Sequence, residues 1–67
     1  MELSARNQVR GRVKDLSVGT VMCEVRVETG PATVTATITA LSAERLGLKK
    51  GDEVVVIVKS TDVMIAK

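Results

Sequence analysis

Residues 20–28, with the sequence TVMCEVRVE, decide the fold class because apolar and polar side chains alternate along them. Alternation with a period of two is typical of a β-strand that has one buried face. The composition agrees, since Val, Ile and Thr make up 22 of the 67 residues and β-branched side chains favour strands over helices. The sequence therefore predicts an all-β protein.

A first strand is predicted over residues 8–16, where alternation continues through Gly11. A glycine inside a strand indicates a bend or a bulge, which a small barrel needs at its corners. The basic residues of this strand share one face: Arg10, Arg12 and Lys14. Two interpretations of that face stay open, a ligand-binding stripe and an ordinary solvated surface.

A short helix is predicted over residues 42–46, after a third strand at residues 32–39. Ser42 suits the N-cap, Glu44 is favourable in a first turn, and Gly47 suits the position after the last helical residue. We expect nearby leucines to close one end of a barrel: Leu41, Leu46 and Leu48.

A fourth strand is predicted over residues 53–59 and a fifth over residues 63–66. Residues 54–58 are apolar on both faces, so we expect a second subunit to cover the face that one barrel leaves open. The order of elements predicts an OB-like, five-stranded Greek-key barrel with one short helix between strands three and four. The length indicates a single domain over residues 1–67.

The small size and the composition restrict what this chain can be. A core of 67 residues needs support, and with Cys23 alone and no His the chain offers neither an internal disulfide nor a zinc site. We therefore expect a homo-oligomer. With no signal peptide or membrane span in the sequence, and a lone cysteine that suits a reducing compartment, we expect a cytoplasmic protein.

Catalysis finds little support in the sequence. Cys23 falls on the apolar face of its strand, no His is present to activate it, and no paired carboxylates are evident. We therefore expect a protein that is not an enzyme.

Two donor-rich stretches lie near opposite ends of the chain, residues 4–7 with the sequence SARN and the pair Lys59–Ser60. Arg6 and Lys59 offer two positive charges, while hydroxyls and backbone N–H groups offer neutral donors. This inventory matches a small dianion with several acceptor oxygens. The alternative is that both cations are ordinary surface residues.

The sequence closely resembles the molbindins, the small Mop-type molybdate-binding proteins. The resemblance covers essentially the whole chain and is carried by LSARNQ at 3–8, Gly11, ITA at 38–40, RLGL at 45–48, Gly51 and KSTDVMI at 59–65. It implies a hexamer built as a trimer of dimers, with molybdate or tungstate bound between subunits. The ligand residues that it implies are Ser4, Ala5 through its backbone N–H, Arg6, Thr39, Lys59 and Ser60.

The resemblance also implies a function, reversible storage of the oxyanion in the cell with no organic cofactor and no bond made or broken. A second class of site, near the threefold axis, is implied without residues that we can assign. The alternative function is a nucleic-acid-binding OB module. Single-strand binding relies on aromatic stacking platforms in a basic groove, whereas this chain has no aromatic residue and a formal charge of only +2. We therefore expect neither nucleic acid nor a membrane as a partner.

Overall fold

The computed structural model describes residues 6–67. It has four strands, one α-helix and one 3-10 turn, and the chain runs through them in this order: β1 (Asn7–Val18), β2 (Met22–Glu28), β3 (Thr33–Thr39), α1 (Ala40–Leu46), β4 (Glu53–Val58) and the 3-10 turn (Ser60–Asp62). The predictions of an all-β chain and of one short helix between the third and fourth strands are confirmed.

The four strands form one antiparallel sheet in the order β3-β2-β1-β4. β1 is long enough to pair with two strands. Its first half, from Asn7 to Arg12, pairs with β4, and its second half, from Arg12 to Val18, pairs with β2. A strand divided in this way passes from one part of the sheet to the next, so the sheet curls around its apolar face as an OB-like barrel requires.

A β-bulge interrupts the pairing of β1 with β2 between Val13 and Asp15. Gly11, which is expected from the sequence to mark a bend or bulge, lies two residues before Val13. It allows close packing of the strands, since a Cβ atom there would lie 2.6 Å from the carbonyl oxygen of Glu28. The bulge also shifts the alternation of β1. Asp15, and not Lys14, has a cross-strand partner in β2, namely Arg26. The predicted continuous basic face therefore ends at Arg12.

The buried core confirms the apolar face predicted within residues 20–28, although Val21 at the start of that stretch is exposed. Among residues 6–67 this core consists of five buried residues: Val13, Cys23, Val25, Val27 and Ala43. Half-buried apolar side chains on β1, β3, β4 and the loop after α1 pack against it. Cys23 is completely buried, as expected of a small core residue. The prediction that three leucines close one end of the barrel is wrong in part, because Leu41 and Leu46 are exposed. The helix α1 packs on the core through the smaller Ala43, with Leu48 beside it.

The helix begins two residues earlier than predicted. Thr39 is its N-cap, and its Oγ1 atom accepts a hydrogen bond from the backbone N–H of Ser42 at 3.0 Å. The prediction of Ser42 as the cap is therefore wrong, and Glu44 lies beyond the first turn. The helix ends as predicted, with Gly47 in the left-handed conformation at φ 63°, which glycine adopts without steric cost.

The predicted fifth strand is wrong for the single chain, since residues 63–67 form no strand. A strand needs a neighbour to pair its N–H and C=O groups, and no strand among residues 6–67 pairs with this segment. Its apolar side chains are left in solvent, with Met64 and Ile65 exposed to 92% and 91%. Within residues 6–67 we find no helix of the length and apolarity needed to cross a membrane.

Candidate functional site

The register of β1 and β4 brings both halves of the predicted anion clamp to one end of the sheet. Asn7 and Val58 are the last paired residues of this ladder. Arg6 directly precedes Asn7 and Lys59 directly follows Val58, so the two cations come next on adjacent antiparallel strands. Both are exposed. Residues that are 53 positions apart in the sequence thus reach the same edge of the fold.

The 3-10 turn holds Ser60 beside this edge. The backbone N–H of Asp62 donates to the carbonyl oxygen of Lys59 at 2.9 Å, and that of Val63 donates to Ser60 at 3.4 Å. Because the chain turns immediately after Lys59, the hydroxyl of Ser60 stays near the end of β4 instead of continuing along the strand. Ser4 and Ala5, the remaining members predicted near Arg6, lie outside the described residues.

The two cations at this edge form no ion pair with an acid among residues 6–67. The ion pairs that form within residues 6–67 lie elsewhere: Arg12 with Glu53, and Arg26 with both Asp15 and Glu24. Neither Arg6 nor Lys59 has an ion-pair partner in this part of the chain. An edge with two unneutralised cations and a hydroxyl can attract an anion with acceptor oxygens.

Thr39 does not join this cluster within one chain. It pairs with Met22 at the start of β2, and that end of β2 lies against Val18, at the far end of β1 from Arg6. Its hydroxyl hydrogen-bonds Ser42, with 2.7 Å between the two side-chain oxygens. A site that contains Arg6, Lys59 and Thr39 therefore needs Thr39 from a second copy of the chain.

The basic residues of β1 fit the solvated interpretation better than the ligand stripe. Arg12 lies between two carboxylates, because its cross-strand neighbours are Glu28 in β2 and Glu53 in β4. Its Nη2 atom is 3.3 Å from Oε1 of Glu53. An open cleft of 610 Å³ runs past these residues and Arg10, but its acids offset its bases, so it does not resemble an anion site.

No alternative chemistry is apparent in the described part of the chain. Cys23 is fully buried and its thiol lies 3.9 Å from the carbonyl oxygen of Glu24, which leaves it without access to a substrate. Among residues 6–67, no three His, Cys, Asp or Glu side chains come together as a metal site. The edge with Arg6, Lys59 and Ser60 is the candidate that the geometry supports.

Comparison with known proteins shows the family to which the chain belongs. The TOBE domain model matches residues 3–65. Molybdenum-pterin-binding protein 2 of Clostridium pasteurianum is 48% identical over 66 residues, which cover 97% of each chain. The chain belongs to the TOBE domain family and, within it, to the small molbindin, or Mop, group.

Solved structures of molybdate-binding proteins resemble this chain over most or all of its length. A molybdate-binding protein from Sporomusa ovata superposes with a TM-score of 0.96 at 34% identity and complete coverage of both chains. The structure of ModG, described as a cytoplasmic molybdate-binding protein and solved with molybdate bound, superposes with a TM-score of 0.86 at 41% identity over 90% of this chain and 43% of its own. The OB-like prediction is confirmed by these neighbours, with four strands instead of five among residues 6–67.

Proposed function

We propose that this protein binds molybdate reversibly and stores it in the cytoplasm, with tungstate as an equivalent ligand. The observation that supports the proposal is the register of β1 with β4, whose last pair, Asn7 with Val58, directly adjoins Arg6 and Lys59 along the chain. The relatives named as molybdate-binding proteins support it.

The chemistry of the edge suits an oxyanion with two negative charges. The guanidinium of Arg6 offers five N–H donors in a plane and the ammonium of Lys59 offers three more. Two positive charges match the charge of molybdate. Ser60 adds a hydroxyl, and we propose that Ser4 and the backbone N–H of Ala5 complete the donors from this chain.

We propose that the site lies between subunits of a homo-oligomer, a hexamer built as a trimer of dimers. In this proposal Thr39 comes from another copy, which is consistent with its place at the far end of the sheet from Arg6. The single chain also leaves apolar surface in solvent, with Val55 and Ile57 exposed on β4 and Ile65 in the C-terminal segment. A second copy would bury that surface and complete the site at once.

A mixing experiment tests whether Thr39 and Lys59 reach the anion from different chains. Thr39→Ala and Lys59→Ala each remove one ligand group, so each variant alone should bind molybdate poorly. After the two are unfolded together and refolded, some interfaces join an intact Lys59 to an intact Thr39, and a fraction of the binding should return. If no binding returns, the two residues do not contribute to one site from two chains.

We propose that the whole chain, residues 1–67, is one binding domain that makes and breaks no covalent bond. In this account it is not an enzyme, it carries no organic cofactor, and it acts by holding and releasing the oxyanion. Relatives are named as binding proteins, which supports this view.

Gel filtration after incubation with a ligand tests the proposed class of function. Molybdate should co-elute with the protein, whereas a single-stranded oligonucleotide should not, because the chain has no aromatic side chain on which bases could stack. Retention of the oligonucleotide without molybdate would instead indicate a nucleic-acid-binding OB module.

A further inference from the structure

The ladder between β1 and β4 has opposite charge arrangements at its two ends. At one end Arg12 is the cross-strand partner of Glu53, and their side chains form an ion pair at 3.3 Å. At the other end the ladder stops at Asn7 and Val58, and the next residues outward are Arg6 and Lys59. One end therefore carries an exposed pair of opposite charges, and the other end carries two like charges.

Like charges at facing positions of an antiparallel pair repel each other. Cβ atoms of directly opposed residues are about 4.5–5.5 Å apart, and such pairs of like charge are destabilising. Among residues 6–67 no carboxylate forms an ion pair with Arg6 or Lys59. The nearest acid to Lys59 along the chain is Asp62, and it forms none of the ion pairs in this part of the chain.

We propose that repulsion between Arg6 and Lys59 keeps this end of the ladder open in the absence of an anion, and that the bound oxyanion closes it. This inference rests on the proposed function for the identity of the anion. A dianion between the two cations replaces one repulsion by two attractions, so the same residues that bind the ligand also couple its binding to the order of the strand ends.

The coupling explains how one site can both hold and release its ligand. Part of the attraction between the anion and the cations is used to bring the two strand ends together. The net affinity is therefore lower than a preformed site with the same donors would give. In the free protein, removal of one cation should stabilise the fold, although it weakens binding.

The first test uses thermal unfolding without any oxyanion, in a buffer free of phosphate and sulfate. Lys59→Met keeps the apolar stem and removes the charge, while Lys50→Met does the same at an exposed turn lysine and serves as the matched control. In low salt we expect Lys59→Met to raise the Tm by about 2–5 °C over the wild type. Lys50→Met should leave it unchanged.

Salt gives this test its second arm. Screening at about 0.5–1 M NaCl shortens the range of charge interactions to a few ångströms, so the difference between Lys59→Met and the wild type should shrink. A variant that melts at or below the wild-type temperature in low salt, or a gain that salt does not reduce, would overturn the proposal.

Amide hydrogen exchange in the wild type keeps the proposal testable even if the variant folds poorly. Added NaCl should slow exchange of amides at the Asn7 and Val58 end of the ladder more than at the Arg12 and Glu53 end, where screening removes an attraction. Equal effects at both ends would contradict the proposal.

None of these measurements uses molybdate, so they test the repulsion between Arg6 and Lys59 separately from the proposed binding of molybdate. If the protein does not bind molybdate, the proposed function fails while the repulsion can still be seen. If molybdate binds normally and no salt-dependent repulsion is found, only the present inference fails.

Discussion

A Cβ atom placed on Gly11 would lie 2.5 Å from the Cγ1 atom of Val27, closer than such atoms approach in folded proteins. Val27 is buried in the core and Gly11 lies on β1 just before the bulge. The absence of a side chain at this position therefore lets β1 run close to β2 where it leaves β4 for its second neighbour.

Gly11→Ala should destabilise the protein because a methyl group must push either Val27 or the backbone of Glu28 aside. Overpacking of this kind costs about 1–3 kcal/mol. Urea unfolding at a fixed protein concentration measures the effect, with Thr37→Ala on the exposed face of β3 as the control. A Gly11→Ala protein as stable as the wild type would show that the strands can separate there at no cost.

Val56→Asp should prevent folding or assembly. Val56 is half-buried against the core and pairs with Val9 across the ladder, so a carboxylate there would lose its hydration without gaining a partner. Soluble expression and circular dichroism report the outcome. Thr35→Asp is the matched control, because Thr35 is exposed and lies opposite Arg26; native-like Val56→Asp protein would contradict the placement of this face.

The wild-type protein should be an oligomer at micromolar concentration. The reasons are the short chain, the exposed Val55 and Ile57, and the C-terminal segment with Met64 and Ile65 in solvent. Sedimentation equilibrium should detect no monomer, and Ile65→Asp should shift the distribution toward smaller species. A folded, stable wild-type monomer would rule the oligomer out.

The proposed site should distinguish oxyanions by protonation and by size. Its members from one chain are donors, with no Asp or Glu among them: Ser4, Ala5, Arg6, Lys59 and Ser60. Phosphate near neutral pH still carries a proton that needs an acceptor, and an unmatched buried polar group costs about 1–3 kcal/mol. Sulfate has the right charge, but its shorter bonds fit poorly between donors spaced for a larger ion.

Equilibrium dialysis against bound molybdate measures this selectivity. Tungstate, which is nearly the same size as molybdate, should compete about equally, while sulfate and phosphate should compete only in large excess. Rotation of the Ser4 and Ser60 hydroxyls allows some acceptance of phosphate, so its rejection should be incomplete. Phosphate competing as well as tungstate would mean that an acceptor such as Asp62 reaches the ligand.

Local alternation is enough to predict most of the sheet, because the buried residues of β2 recur with period two in the sequence. Features that depend on pairing between strands are not predictable in this way. The bulge after Val13 is set by the register with β2. It gives Asp15, instead of Lys14, a cross-strand partner in β2. The segment after Asp62 has strand-forming residues but pairs with no strand among residues 6–67, so local propensity alone wrongly predicts a strand there.

The candidate site shows the same division. The chemistry of the side chains alone points to Arg6 and Lys59, and the ladder of β1 with β4 explains why both follow its last pair at one end of the sheet. Thr39 follows only from the family resemblance, because its sequence position suggests the end of a strand and its hydroxyl caps α1. The proposed contribution of Thr39 from another subunit would leave no local signal in the sequence.

Titration calorimetry with molybdate on Arg6→Ala and Lys59→Ala tests the central claim most directly. A hydrogen bond to a charged group contributes roughly 1.5–3 kcal/mol, so each variant should bind about ten- to a hundredfold more weakly while keeping its fold. Lys50→Ala, at an exposed turn, should bind like the wild type. Unchanged affinity in both Arg6→Ala and Lys59→Ala would show that molybdate does not bind at this end of the ladder.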